Sequence, residues 1–255
     1  MSRFACPTAI LAGLLASTIP VTAQRAPATP QTGLPADTLA LACAPAGAKG
    51  QQPDTPLRIT GGQDAVTRHS YSSGDLLTMN AGASNGIRVG QEFFVRRINA
   101  GRNYNSSGKG PMMIQTAGWV RVWAVEDTMS LLTVTHACDS IEVGDYLEPF
   151  KLPAAVLPNP NKPKAERGNY ARVMPGTDLR SQFGRGDFFT INRGTAEGIK
   201  PGAQFVVYRD KKENQNFLFE LGEAVAVNVG DGVSTLVVTL SRDAFQEGDY
   251  VAERK

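Results

Sequence analysis

The sequence is poor in the residues on which most catalytic and metal sites depend. It has two histidines, His69 and His136, and three cysteines, Cys6, Cys43 and Cys138. No His/Cys/carboxylate cluster has ligand spacing, so no metal and no cofactor is expected. Cys138 and His136 are two apart on a predicted strand and point the same way, but nothing nearby supplies an orienting partner or oxyanion donors, which disfavours a catalytic Cys-His pair. Gly108-Lys109-Gly110 lacks the full phosphate-loop pattern and a following helix. Charge of one sign is also missing. With 26 Lys and Arg against 24 Asp and Glu, the formal net charge is +2. Nucleic acid as the main partner would require a strongly basic stripe. The surplus positive charge sits at Lys151, Lys162, Lys164 and Arg167, in a stretch that reads as solvated linker. Long apolar runs are absent after the first residues, so no transmembrane segment is expected beyond the start of the chain.

The start itself is informative. Met1-Ser2-Arg3 precedes a short apolar stretch from Ala9 to Ala16, then Pro20 and Val21-Thr22-Ala23. A basic start, an apolar stretch too short to span a bilayer and a small-residue site read as a signal peptide over 1–23, cleaved after Ala23. The expected location is periplasmic or otherwise exported. Leu39-Ala40-Leu41-Ala42-Cys43 looks a little like a lipid-attachment site, but it lies well past the export signal, behind Pro27, Pro30 and Pro35. Cleavage leaves Cys43 and Cys138. In an oxidising compartment an even pair reads as a disulfide, with two free thiols as the alternative.

The dominant feature is an internal repeat. Gly74-Asp75-Leu76-Leu77-Thr78-Met79-Asn80-Ala81-Gly82 matches Gly186-Asp187-Phe188-Phe189-Thr190-Ile191-Asn192-Arg193-Gly194, and Gly86-Ile87 with Gly90 matches Gly198-Ile199 with Gly202, in one register. After a shorter loop in the second copy, Gly118 pairs with Gly222, Leu132 with Leu236, Ile141 with Phe245 and Gly144-Asp145-Tyr146 with Gly248-Asp249-Tyr250. Upstream, Arg58-Ile59-Thr60-Gly61-Gly62 resembles Arg172-Val173-Met174-Pro175-Gly176. So many glycines agreeing in order imply a tandem duplication of a module of roughly 80 to 90 residues, the size of one small domain.

Each copy reads as five or six short strands. They are predicted at Leu76 to Met79, Glu92 to Arg96, Trp119 to Val125, Leu131 to Thr135 and Tyr146 to Glu148, with matching strands from Phe188 to Ala252. Asn-x-Gly and Gly-Ile-x-x-Gly mark tight turns, where glycine tolerates positive φ and Asn the left-handed region. The Ile is expected to fill the core. Short strands joined by tight turns predict an all-β fold of two small closed barrels, which removes exposed edges. The expected layout is a signal peptide (1–23), a disordered Pro-, Ala- and Gln-rich arm carrying Cys43 (24–56), a first barrel (57–148), a Pro-rich linker (149–168) and a second barrel (169–255).

The pattern of Asn192, Gly194, Gly198, Ile199 and Gly202 with Gly248-Asp249 resembles the C-terminal domain of flagellar assembly protein T and the small barrels attached to LysM proteins. The tandem layout is similar to that of uncharacterised exported bacterial proteins. The resemblance covers both modules but not the arm. It implies SH3-like barrels and an assembly or scaffolding role in the cell envelope, and it brings no catalytic residues. No LysM repeat is visible, so glycan binding does not carry over.

Two regions stand out as candidate binding surfaces. Trp119, Arg121 and Trp123 alternate on one strand and share a face. Trp123 aligns with Val227 in an apolar series and is expected in the core, whereas Trp119 aligns with Glu223 and is expected in solvent. The second region is the loop between Arg97 and Thr116, which carries Asn103, Tyr104, Asn105 and Lys109 and is longer than its counterpart. Asp75, Asp145, Asp187 and Asp249 each follow a turn glycine in both copies, as structural turn residues do, so they do not form a catalytic pair. These features point to a non-catalytic envelope scaffold or assembly protein that binds another envelope protein. A glycan- or peptidoglycan-binding protein is the alternative, and a hydrolase a weaker one.

Overall fold

The computed structural model describes residues 36–49, 54, 56–64, 68–100, 111–152, 161, 163–166, 168–176, 180–210 and 217–255. The proposed export signal, the four candidate loop residues Asn103, Tyr104, Asn105 and Lys109, and the prolines at 153, 158 and 160 lie outside these residues.

Among the described residues the fold is all-β, apart from one helix and two single 3₁₀ turns. The arm forms a helix α1 (Ala36–Cys43) and a strand β1 (Ala46–Lys49). The first module contains β2 (Ile59–Gly62), β3 (Leu76–Met79), β4 (Glu92–Ala100), β5 (Pro111–Val125), β6 (Ser130–Ala137) and β7 (Tyr146–Pro149). The second contains β8 (Ala171–Arg172), β9 (Gln182–Phe183), β10 (Phe188–Ile191), β11 (Gln204–Asp210), β12 (Leu218–Val229), β13 (Ser234–Ser241), β14 (Phe245–Gln246) and β15 (Tyr250–Glu253).

Strand order in the first sheet is β2-β3-β6-β5-β4-β7, and in the second β10-β13-β12-β11-β15-β8. Both sheets are antiparallel and curl until their ends meet. An Arg58–Tyr146 bridge joins the ends in the first module and a Val173–Ile191 bridge in the second. The result is two tandem small barrels.

The duplication extends to side-chain roles. Leu77, Met79, Val95, Val120, Leu132 and Ile141 fill the first core. Their repeat partners Phe189, Ile191, Val207, Ala224, Leu236 and Phe245 fill the second. Fully burying a Val, Leu, Ile, Met or Phe side chain of this kind contributes roughly 1.5–3 kcal/mol. Ile87 and Ile199 enter the cores as their position after the turn glycine predicts, and that glycine, Gly86 or Gly198, is in the left-handed region.

Gly82 and Gly194 have a different reason to be glycine. Their φ values are negative, −143° and −151°. A Cβ on Gly82 would lie 2.2 Å from the Glu126 carbonyl oxygen, and one on Gly194 2.0 Å from that of Gly230. Close backbone approach excludes any side chain there. The preceding Asn acts as a clip between strands. Asn80 Oδ1 accepts the Arg58 N–H at 2.7 Å, and Asn192 Oδ1 accepts that of Arg172 at 2.8 Å.

Two expectations are corrected. The arm was expected to be disordered apart from its Cys43 anchor, but residues 36–49 form α1 and β1, with β1 pairing antiparallel to β5. The segment between Arg97 and Thr116 was read as loop, but β4 continues to Ala100 and β5 begins at Pro111, so much of it is a hairpin.

Candidate protein-binding surface

The arm explains the most consequential departure from the sequence reading. Cys43 and Cys138 are joined by a disulfide, with Cα atoms 5.5 Å apart. It fixes the end of α1 over the outer face of β4 and β5. There Ala42 packs with Phe94 and Trp119, flanked by Leu39 and Phe150. The Trp119 and Phe150 ring centroids are 5.4 Å apart, and those of Trp119 and His136 are 4.8 Å apart. Trp119 is therefore 2% exposed, not solvent-facing as expected. It does point away from the barrel core, as alternation predicts, but the arm covers it.

A polar chain reinforces the cover. The Arg96 guanidinium lies 4.3 Å from the centroid of the Phe94 ring and donates to the Thr116 hydroxyl. That hydroxyl donates to the Ala44 carbonyl at 2.9 Å. Burial lowers the pKa of Arg96 against the opposing pull of Glu148. Burial also lowers the pKa of His136. The His136 ring nitrogen and the Cys43 and Cys138 sulfurs lie within 4.8 Å of one another, but the two sulfurs are bonded to each other, so they do not offer the thiolates that zinc-type sites use.

The four recurring aspartates sit in equivalent structural clasps. Asp145 accepts Arg97 Nε at 2.8 Å, Arg97 Nη2 at 2.9 Å and the Glu142 backbone N–H at 2.9 Å. Asp249 accepts Arg209 Nε at 2.8 Å, Arg209 Nη2 at 2.7 Å and the Gln246 N–H at 2.7 Å. These hydrogen bonds raise the pKa of both arginines. Asp75 and Asp187 each accept a turn N–H and an arginine, Arg68 and Arg180 respectively. Sequence spacing gave no sign of the arginine partners, because they come from a distant strand or from the strand approach before the turn.

The two modules touch through the arm and the β4–β5 hairpin. Met113 packs against Met174 and Val233 of the second module. Thr190 Oγ1 lies 3.6 Å from Met113 Sδ, and Thr235 Oγ1 donates to the Pro45 carbonyl at 2.8 Å. Thr190 and Thr235 are consequently buried.

On the first module the corresponding surface is uncovered. Trp123 is 61% exposed, contrary to its expected place in the core. Trp123 shares the outward face of β5 with Trp119 and Arg121, alternating with Val120 and Val122, which point into the core; the β5–β6 register shift between Val122 and Ala124 leaves it unpaired. Met129, in the turn between β5 and β6, is 43% exposed, and Val89 is exposed as well. Arg121 is exposed and ion-paired to Glu92 at 2.8 Å. Of the candidate surface residues, the structure thus puts Arg121 at the surface, buries Trp119 and adds Trp123 and Met129. Compared with profiles of known protein families and with curated proteins, the chain matches none. Among the described residues, no helix is long and apolar enough to cross a membrane.

Proposed function

We propose that this chain is an exported, non-catalytic scaffold or assembly protein of a bacterial cell envelope, and that it works by binding another envelope protein through the first module. The observation that carries the reading is the set of exposed apolar side chains Trp123 on β5, Met129 in the β5–β6 turn and Val89 in the turn before β4. Its counterpart on the second module is partly occupied by a protein contact within the chain, at Val233. Aromatic and Met side chains are enriched at protein interfaces, where a few of them supply most of the binding energy.

The Cys43–Cys138 disulfide supports an oxidising, extracytoplasmic location, and the opening of the sequence supports export. The SH3-like character and the likeness to the flagellar assembly and LysM-attached barrels are part of this proposal. They rest on the turn motifs at Asn192, Gly194, Gly198 and Gly202. Of the aromatic residues on which the glycan-binding alternative drew, Trp119 lies under α1. Crosslinking in intact cells, followed by purification of this chain and mass analysis of what it carries, tests the proposal. A reproducible envelope-protein adduct is expected. Recovery of cell-wall fragments without any protein would overturn it in favour of glycan binding.

A further inference from the structure

The contact between the two modules is not symmetric, and its asymmetry leaves one unused half on each module. On the first module the projecting part is the start of β5. Met113 there is buried in the second module's face beside Met174 and Val233. The repeat places Phe217 at the position matching Met113, on the β11–β12 hairpin. The equivalence is fixed by strand register: Val95 faces Gly118 across the first hairpin, Val207 faces Gly222 across the second, and both hairpins are bulged one residue further along. Phe217 is 60% exposed, with Phe219 edge-on beside it. The second module thus carries an exposed side chain at the position matching Met113.

The receiving face shows the reverse. In the second module it consists of Met174, Thr190, Val233 and Thr235. In the first, the matching residues are Thr60, Thr78, Met129 and Leu131, with Trp123 in place of Val227. The first set is buried, whereas Thr60, Met129 and Trp123 are exposed. A cleft of about 570 Å³ lies beside Thr60, Gly62 and Tyr71 in the first module. A different cleft of about 180 Å³, at Phe183, Gly176 and Thr190 of the second, has Met113 and Pro45 in its wall.

From this pairing of an exposed projection with an exposed face we infer that the chain associates head to tail with further copies of itself. Phe217 of one copy seats on the Trp123–Met129 face of the next copy's first module. The inference rests on the reading of that face as protein-binding and names its occupant. A contact between two different surfaces of one chain is heterologous, so it builds a ring or an open row rather than a closed two-fold dimer. One component of the internal contact is not repeated: among the described residues the second module has no strand corresponding to β1. Larger apolar groups stand in its place, Phe217 for Met113 and Trp123 for Val227. The contact between copies also lacks the tether that raises effective concentration within one chain, so it depends on protein concentration.

The test uses the full exported chain and two surface variants, Phe217→Asp and the double variant Trp123→Asp/Met129→Asp. Far-UV circular dichroism and the thermal midpoint establish that each folds as the unaltered chain does. Sedimentation velocity then gives mass against concentration. We expect the unaltered chain to grow beyond a dimer as concentration rises, and each variant alone to stay monomeric. An equimolar mixture of the two variants should form a dimer and nothing larger, because one intact projection meets one intact face and both remaining ends are blocked. A monomer at every concentration up to ~1 mM, the weak end of specific association, overturns the inference. So does a dimer that persists in either variant alone. In-cell crosslinking from position 123 separates the two levels. Capture of a different envelope protein by a chain that is monomeric when pure retains the protein-binding reading and overturns self-association. Capture of no protein overturns both.

Discussion

Met113 of the first module is buried against Val233 of the second, whereas their repeat counterparts, Phe217 and Met129, both face solvent. One contact type is therefore made once within the chain and left unmade at each end. Met113→Asp places a charge in that contact and should uncouple the modules. Loss of a buried Met side chain costs about 2–5 kcal/mol. The single cooperative unfolding transition expected of coupled modules should split into two, resolved by calorimetry.

The disulfide closes a loop of 95 residues between Cys43 and Cys138. In the chain-entropy account, closing a loop of this length stabilises the fold by about 4–5 kcal/mol. Reduction, or Cys43→Ser, should lower the urea midpoint accordingly and release α1 from Trp119. In a Trp123→Phe background Trp119 is the sole tryptophan, so its emission should shift to the red on reduction. Unchanged emission would mean that α1 stays in place without the bond.

The Arg97–Asp145 and Arg209–Asp249 clasps should each support their own module. Asp145→Ala leaves the Arg97 guanidinium and the Glu142 N–H without their shared acceptor. An unmet buried hydrogen-bonding group costs about 1–3 kcal/mol, more where a charge is involved. Thermal unfolding followed separately in each module should show the loss in the first for Asp145→Ala and in the second for Asp249→Ala.

Burial lowers the pKa of His136 below its ordinary value of 6.5. The folded state therefore favours neutral imidazole, and the unfolded chain takes up this proton first as pH falls. The contribution is fully present above about pH 6.5 and is lost as pH falls below that value toward the folded-state pKa. His136→Leu installs the residue found at the matching position 240. It should flatten the difference in urea midpoint between about pH 7.5 and pH 5.5 relative to the unaltered chain.

Much of the barrel fold was legible because its determinants are local and occur twice. The turn glycines, the clipping Asn80 and Asn192 and the core Ile87 and Ile199 keep their roles in both copies. The surface was harder to read because its determinants are not local. Ala46-Gly47-Ala48-Lys49 has no strand pattern, and β1 exists because β5 offers its backbone. Trp119 aligns with an acidic residue yet is buried, because its cover comes from an arm that has no repeat partner. Trp123 aligns with an apolar series yet faces outward, because that series is itself the outward face of β12: Ala224 and Ala226, not Val225 and Val227, fill the second core, as Val120 and Val122 fill the first. Met113 lay within a presumed loop, and only the partnership with Val233 shows its role.

The most direct measurement replaces Met129 with a photoreactive amino acid in the full chain and irradiates intact cells. If the first module's face binds protein in the envelope, a discrete protein adduct forms at this position, at twice the chain's own mass where the occupant is a second copy. A chain that acquires no protein adduct from position 129, while remaining folded and exported, would contradict the proposed function.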